Sequence, residues 1–258
     1  MLSAISDEAK RILDEARERG IALRLFGGLA VKYHCPSATH RSLQRSYPDL
    51  DFFGKGKQGK EIRKLFLDLG YQPNQRFNAL HGATRLIFED SKNQRVADIF
   101  LDVFKMCHTL HLGDRLALDE YTIPISDLLL TKLQVVEINE KDIRDLIAIL
   151  SDHEVVEYPT PGDREVIDTR YISALCGDDW GLCKTLSLTL RKLLAFLSKY
   201  ELDQDAKQLL ENRINRLLLA IENVPKSLKW KLRDRVGEKK RWFDLPEVPI
   251  RTESVSST

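Results

Sequence analysis

Asp49-Leu50-Asp51-Phe52-Phe53 alternates carboxylates with large apolar side chains over one short segment. Successive side chains of a strand point to opposite faces. Such a segment folds stably where Leu50 and Phe52 meet a core while Asp49 and Asp51 project together on the other side. Two carboxylates side by side repel each other unless a cation comes between them. Upstream, Leu25-Phe26-Gly27-Gly28 ends a short apolar strand on a glycine pair. Such a pair lets backbone approach a group such as a phosphate. Phosphate with a divalent metal is the chemistry these two segments predict together.

The order of elements follows from periodicity and punctuation. Ser6–Arg19 reads as an amphipathic helix capped by Ser6 and stopped by Gly20. Ile21–Phe26 is a strand, a helix begins at Gly28, and Cys35–Tyr47 is a polar, basic loop in which a solvated role is expected for Arg41 and Arg45. Asp49–Phe53 is the second strand and Lys60–Leu69 a helix closed by Gly70; Thr84–Glu89 and Arg95–Phe104 form two strands joined by a turn over Asp90-Ser91-Lys92-Asn93. The first hundred residues thus predict a small mixed α/β unit.

From Ser126 the pattern becomes helical. Ser126 is expected to cap Asp127–Glu137 and Asn139 to cap Glu140–Leu150. After a loop rich in Pro, Gly and charge (Glu157–Asp163), helices follow over Asp168–Cys176, Asp178–Tyr200, Asp203–Asn223 and Pro225–Val236. Leu186, Leu190, Leu193 and Leu197 keep helical spacing, as do Leu210, Ile214, Leu217 and Ile221. The fold class is therefore α+β: a mixed-sheet domain over 1–125, a helical domain over 126–250 with the boundary between 105 and 165, and a disordered tail over 251–258.

With 43% apolar and 31% charged residues the 258-residue chain is a soluble globular one, and a net charge of +1 does not indicate a partner. No apolar run reaches the ~18 residues of a membrane span, and Met1–Gly20 lacks a signal peptide's apolar centre. The four cysteines form no C-x-x-C pattern. Reduced thiols and a cytoplasmic location are expected, with no membrane partner. His34, Cys35 and His40, and Cys107, His108 and His111, are metal-ligand types without the spacing of a structural zinc site.

Phosphoryl transfer with two metals calls for a third carboxylate. The strand Arg95–Phe104 supplies Asp98 and Asp102 on one face. Four strand residues separate them by roughly 13 Å, whereas paired ions lie about 3.5–4 Å apart, so one of the two completes the cluster. A strand parallel to Asp49–Phe53 favours Asp98, the expected residue; an antiparallel one favours Asp102.

The glycine pair, the Asp-x-Asp strand and the later strand aspartate, in that order, resemble the nucleotidyltransferase superfamily of polymerase-beta-like fold over roughly residues 20–150. The resemblance implies that Gly27 and Gly28 cradle a nucleoside triphosphate, and that Asp49, Asp51 and Asp98 (Asp102 as the alternative) are catalytic ligands of two Mg²⁺ ions. Leu129-Leu130-Thr131-Lys132 followed by Lys141-Asp142-Ile143-Arg144-Asp145-Leu146 is similar to the nucleotidyltransferase toxins of abortive-infection systems. That similarity implies Lys132 as a nucleotide-binding lysine, Asp142 or Asp145 as an accessory acidic residue, and an antitoxin protein as a partner. Those toxins often carry Gly-Ser where this chain has Gly27-Gly28.

The expected activity is transfer of a nucleoside monophosphate from an NTP to an RNA end, a protein hydroxyl or a small molecule. A non-catalytic module that binds a nucleotide or a partner protein is the alternative. Eight basic residues between Lys226 and Arg241, with Trp230 and Trp242 beside them, mark a stripe that could grip an RNA acceptor.

Overall fold

The computed structural model describes residues 4–160 and 162–246, so the expected tail over 251–258 lies outside the described residues. Helix α1 (Ile5–Glu18) leads into β1 (Leu23–Leu25), α2 (Gly27–His34) and β2 (Leu50–Gly54). Next come α3 (Gly59–Asp68), β3 (Gln72–Pro73), α4 (Gln75–His81) and the hairpin β4 (Arg85–Asp90) and β5 (Arg95–Leu101). These strands form one sheet in the order β1-β2-β5-β4-β3. β2 runs parallel to β5, and the other pairs are antiparallel.

The period-2 pattern sorts side chains onto two sheet faces. Leu50, Phe52, Ala97, Ile99, Leu86 and Phe88 are fully buried. Phe66 of α3 stacks on Phe88 at 5.0 Å and meets Phe52 edge-on at 5.9 Å. The stripe Ile12, Leu13 and Ala16 of α1 is buried as its spacing predicts, and Glu8 is buried with it. Glu8 is satisfied there by Arg11, the Tyr71 hydroxyl and Arg95. On the other face Phe26, Phe53, Phe100 and Phe104 form an edge-to-face aromatic cluster, next to the carboxylates.

Two expectations for this half are corrected. The strand read as Arg95–Phe104 breaks at Asp102, whose φ of +58° leaves the β region. Its carbonyl accepts the N–H groups of Leu112 and Gly113, and the chain continues as a separate two-stranded ribbon, β6 (Val103–Lys105) with β7 (Thr109–His111). Ser6 lies inside helix α1, whose N-cap position is Ala4 with no side-chain cap.

The rest is helical apart from a short parallel ribbon, β8 (Val155–Val156) with β9 (Ile167–Asp168). Helix α5 (Ile125–Leu133) starts after Pro124 and stops before Gln134, so Ser126 is inside it rather than its cap. Asn139 caps α6 (Glu140–Asp152) by accepting from Asp142 N. Asp168, Asp179, Asp203 and Ser227 cap α7 (Thr169–Asp178), α8 (Trp180–Phe196), α9 (Gln204–Asn223) and α10 (Leu228–Val236) in the same manner. One continuous apolar core joins both halves of the chain. Helices α5 and α6 contact α2, which brings helical-half residues to the edge of the sheet.

The basic stripe is not one helix. α10 ends at Gly237, whose φ is +56°, before Lys239, Lys240 and Arg241. Lys226 donates to the Ile221 carbonyl, Trp230 packs partly buried against the core, and Trp242 donates its indole N–H to Thr185. The two tryptophans beside the stripe are therefore engaged in packing.

Candidate active site

The glycine pair starts α2 directly after β1. Gly27 takes a φ of +67°, a conformation a side chain disfavours. A Cβ added there would fall 2.8 Å from Asp51 Cγ and closer still to Oδ2. The helix has no side-chain cap and no acidic residue in its first turn. The first N–H groups of such a helix lack intrahelical partners, and the Asp51 carboxylate packs beside Gly27 at this end.

In the parallel β2–β5 register Asp51 stands opposite Asp98. Asp49 lies one residue before β2, on the face of Asp51, and is exposed. Asp102 lies beyond the last register pair, Gly54 with Leu101, and its carboxylate is crowded against Gly56 and Gly113. The parallel arrangement thus brings Asp98, not Asp102, to Asp51. Among the described residues no three His, Cys, Asp or Glu side chains converge as tightly as a bound ion draws them.

The electrostatics of the two facing carboxylates differ. Asp98 is held in a fork by Arg85, with Nε at 2.9 Å from Oδ1 and Nη2 at 2.6 Å from Oδ2. Arg85 also lies over the Phe100 ring at 4.5 Å. Burial pushes the Asp98 carboxyl above its usual range, and Arg85 offsets part of that. Asp51 has no hydrogen bond or ion pair among the described residues. Burial, then the Asp98 charge, push its pKa up to about 7.

A second charged group flanks the glycines. Lys132 on α5 is nearly buried and sits 2.9 Å from Asp142 and 2.9 Å from Asp145, both on α6. Burial opposes its charge, yet Asp145 and Asp142 together hold the ammonium well above the usual lysine range. Asp145 also receives a bidentate pair from Arg45, both bonds 2.7 Å. The Arg45 guanidinium lies 4.1 Å from the Tyr47 ring centroid. A Cβ on Gly28 would stand 2.9 Å from Tyr47 Cδ1 and closer to Arg45 Nη2. The loop read as solvated therefore seats a nearly buried arginine over the second glycine.

Arg85 is the residue sequence reasoning missed, and Arg45 the one it assigned to a solvated loop. Arg85 finds Asp98 across the β4–β5 hairpin, and Arg45 finds Asp145 through tertiary packing across 100 residues. The one available signal for Arg45 was its position four residues ahead of Asp49.

No protein-family model matches the sequence, and no curated protein matches it. Among solved structures, the chain is similar to the solution structure of the antibiotic-resistance factor ANT(2'')-Ia, described as showing substrate-regulated conformation dynamics. The identity is 14%, the TM-score 0.38, and the match covers 57% of this chain and 82% of that one. Among the described residues no helix is long and apolar enough to cross a membrane.

Proposed function

We propose that this chain transfers a nucleoside monophosphate from an NTP to an acceptor hydroxyl, using divalent cations held by Asp49, Asp51 and Asp98. The observation that carries the reading is Asp51: a recessed carboxylate without a partner among the described residues, facing a second carboxylate, with its pKa pushed up to about 7. Oxygen donors of this kind, with Asp51 unpaired among the described residues and Asp98 oriented by Arg85, suit a hard cation such as Mg²⁺. When bound, the metal would neutralise the triphosphate and orient its α-phosphorus for in-line attack.

The chain's own groups supply the remainder. The free N–H groups at the start of α2 receive phosphate oxygens where Gly27 and Gly28 allow close approach. Lys132 and Arg45 add two fixed cations beside them, both anchored on Asp145 so that little ordering remains when the nucleotide arrives. Arg85 fixes the orientation of Asp98. Monophosphate transfer then releases pyrophosphate, and catalysis comes from positioning and charge rather than a covalent enzyme intermediate. The toxin assignment, with its antitoxin partner, rests on the Lys132 and Asp142/Asp145 pattern alone.

One observation favours a second reading, a nucleotide- or protein-binding module without activity: Asp98 and Lys132 are already neutralised by Arg85 and by two aspartates. Titration calorimetry of each NTP with Mg²⁺, on the wild type and on Asp51→Asn, separates the two. Metal-dependent binding lost in the variant, followed by transfer of radiolabelled monophosphate, supports the enzyme. Binding that ignores both metal and variant supports the module.

A further inference from the structure

Behind the wall that holds Lys132 lies a separate cavity of about 610 Å³. It opens between the loop carrying Arg41 and Ser42, the start of α6, and the end of α8 with Tyr200 and Glu201. Ile143 and Arg144 line it from the same turn of α6 that turns Asp142 and Asp145 toward Lys132.

Its lining is cationic and aromatic. Arg41 pairs with Glu201 at 2.7 Å and Arg144 with Glu140 at 2.6 Å. Lys192 and Lys199, both exposed, line the cavity with no ion pair among the described residues. Phe196 and Tyr200 line it one helical turn apart, and Lys199 Nζ lies 4.0 Å from the Phe196 ring centroid. Arg144 is held at the rim by Glu140, by the Gln44 carbonyl and by a side-chain hydrogen bond with Tyr200.

We infer that this cavity binds a nucleoside phosphate distinct from the one at the carboxylates: an anionic group taken by Arg144, Lys192 and Lys199, and a flat ring against Phe196 or Tyr200. The volume suits one nucleotide rather than a duplex. The source is either a free nucleotide or one unit of a single strand. The inference stands apart from the carboxylate reading, because binding here needs neither Asp51 nor Asp98.

The test is fluorescence anisotropy of the full chain with fluorescein-labelled hexauridylate, competed by uridine monophosphate. It is run on the wild type, on Lys192→Glu with Lys199→Glu, and on Asp51→Asn. Saturable binding is expected, weakened at least about tenfold in the charge-reversed variant and unchanged in Asp51→Asn. A hexamer that outcompetes the monophosphate identifies a strand site; equal affinity identifies a free-nucleotide site. Absence of saturable binding, or equal binding by the charge-reversed variant, overturns the inference. Loss in Asp51→Asn alone overturns it as well, because the label then occupies the carboxylate site. Both lysines are exposed, so the variant folds, which its melting curve confirms.

Discussion

Gly27 and Asp51 are packed so closely that no side chain fits between them: a Cβ on Gly27 would fall 2.8 Å from Asp51 Cγ. The left-handed glycine and the recessed carboxylate are parts of one arrangement, and each limits what the other can be. Gly20 has almost the same φ, +66°, but nothing within 4 Å of its missing Cβ. Gly20→Ala should therefore cost only the backbone strain, about 1 kcal/mol. Gly27→Ala should cost at least about 2 kcal/mol, because Asp51 must also move. Urea unfolding of the two variants checks this, and equal midpoints would show that the contact is easily relieved.

Asp51→Asn should abolish transfer while raising the melting temperature. The sign follows from linkage. The folded pKa, about 7, lies above the ordinary aspartate value of 3.8. Folded Asp51 therefore holds its proton where unfolded Asp51 has lost it, and stability falls as pH rises from about 4 to about 7, then stays level. The advantage of Asn over Asp should grow across that window to roughly 2 kcal/mol or more at pH 8. Melts at pH 5 and pH 8 without metal measure it; the same advantage at both pH values would contradict the proton linkage.

Magnesium should compete with that proton. Affinity for Mg²⁺ is expected to rise with pH up to about 7, by at most about tenfold per pH unit, and to flatten above it. Calorimetric titration with MgCl₂ at pH 6, 7 and 8 tests this. An affinity independent of pH would remove Asp51 from the metal site.

Asp145 holds Arg45 and Lys132 at once. Asp145→Ala strands the nearly buried Arg45, leaves Lys132 with Asp142 as its one carboxylate partner among the described residues, and should cost about 3–5 kcal/mol. Adding Lys132→Met should recover part of the loss, since a nearly buried cation that has lost one of its two carboxylates is removed. Denaturant midpoints of the single and double variants decide, and a double variant less stable than Asp145→Ala would show that Lys132 packs favourably without its partner.

Arg85→Gln removes the fork on Asp98, so the Asp98 carboxyl should rise further. The acidic limb of the transfer rate should then move to higher pH. A profile that superimposes on the wild type would place Asp98 outside the titrating cluster.

The sequence by itself determined the sheet faces and the helical half. Alternation along Asp49–Phe53 and Arg95–Leu101 and the leucine spacing of α8 and α9 are local periodicities, and burial follows them directly. It also brought Gly27, Asp49, Asp51 and the pair Asp98 and Asp102 into consideration, because a carboxylate beside apolar strand residues is costly unless it is used. What it left open was strand direction, on which Asp98 or Asp102 depended. Tertiary structure decided this through the parallel β2–β5 register and the left-handed turn at Asp102. It alone also decided that Arg45, in a stretch that reads as a solvated loop, is nearly buried over Gly28. That pairing joins residues 100 positions apart, and no local propensity encodes a contact whose energy comes from desolvating both partners together.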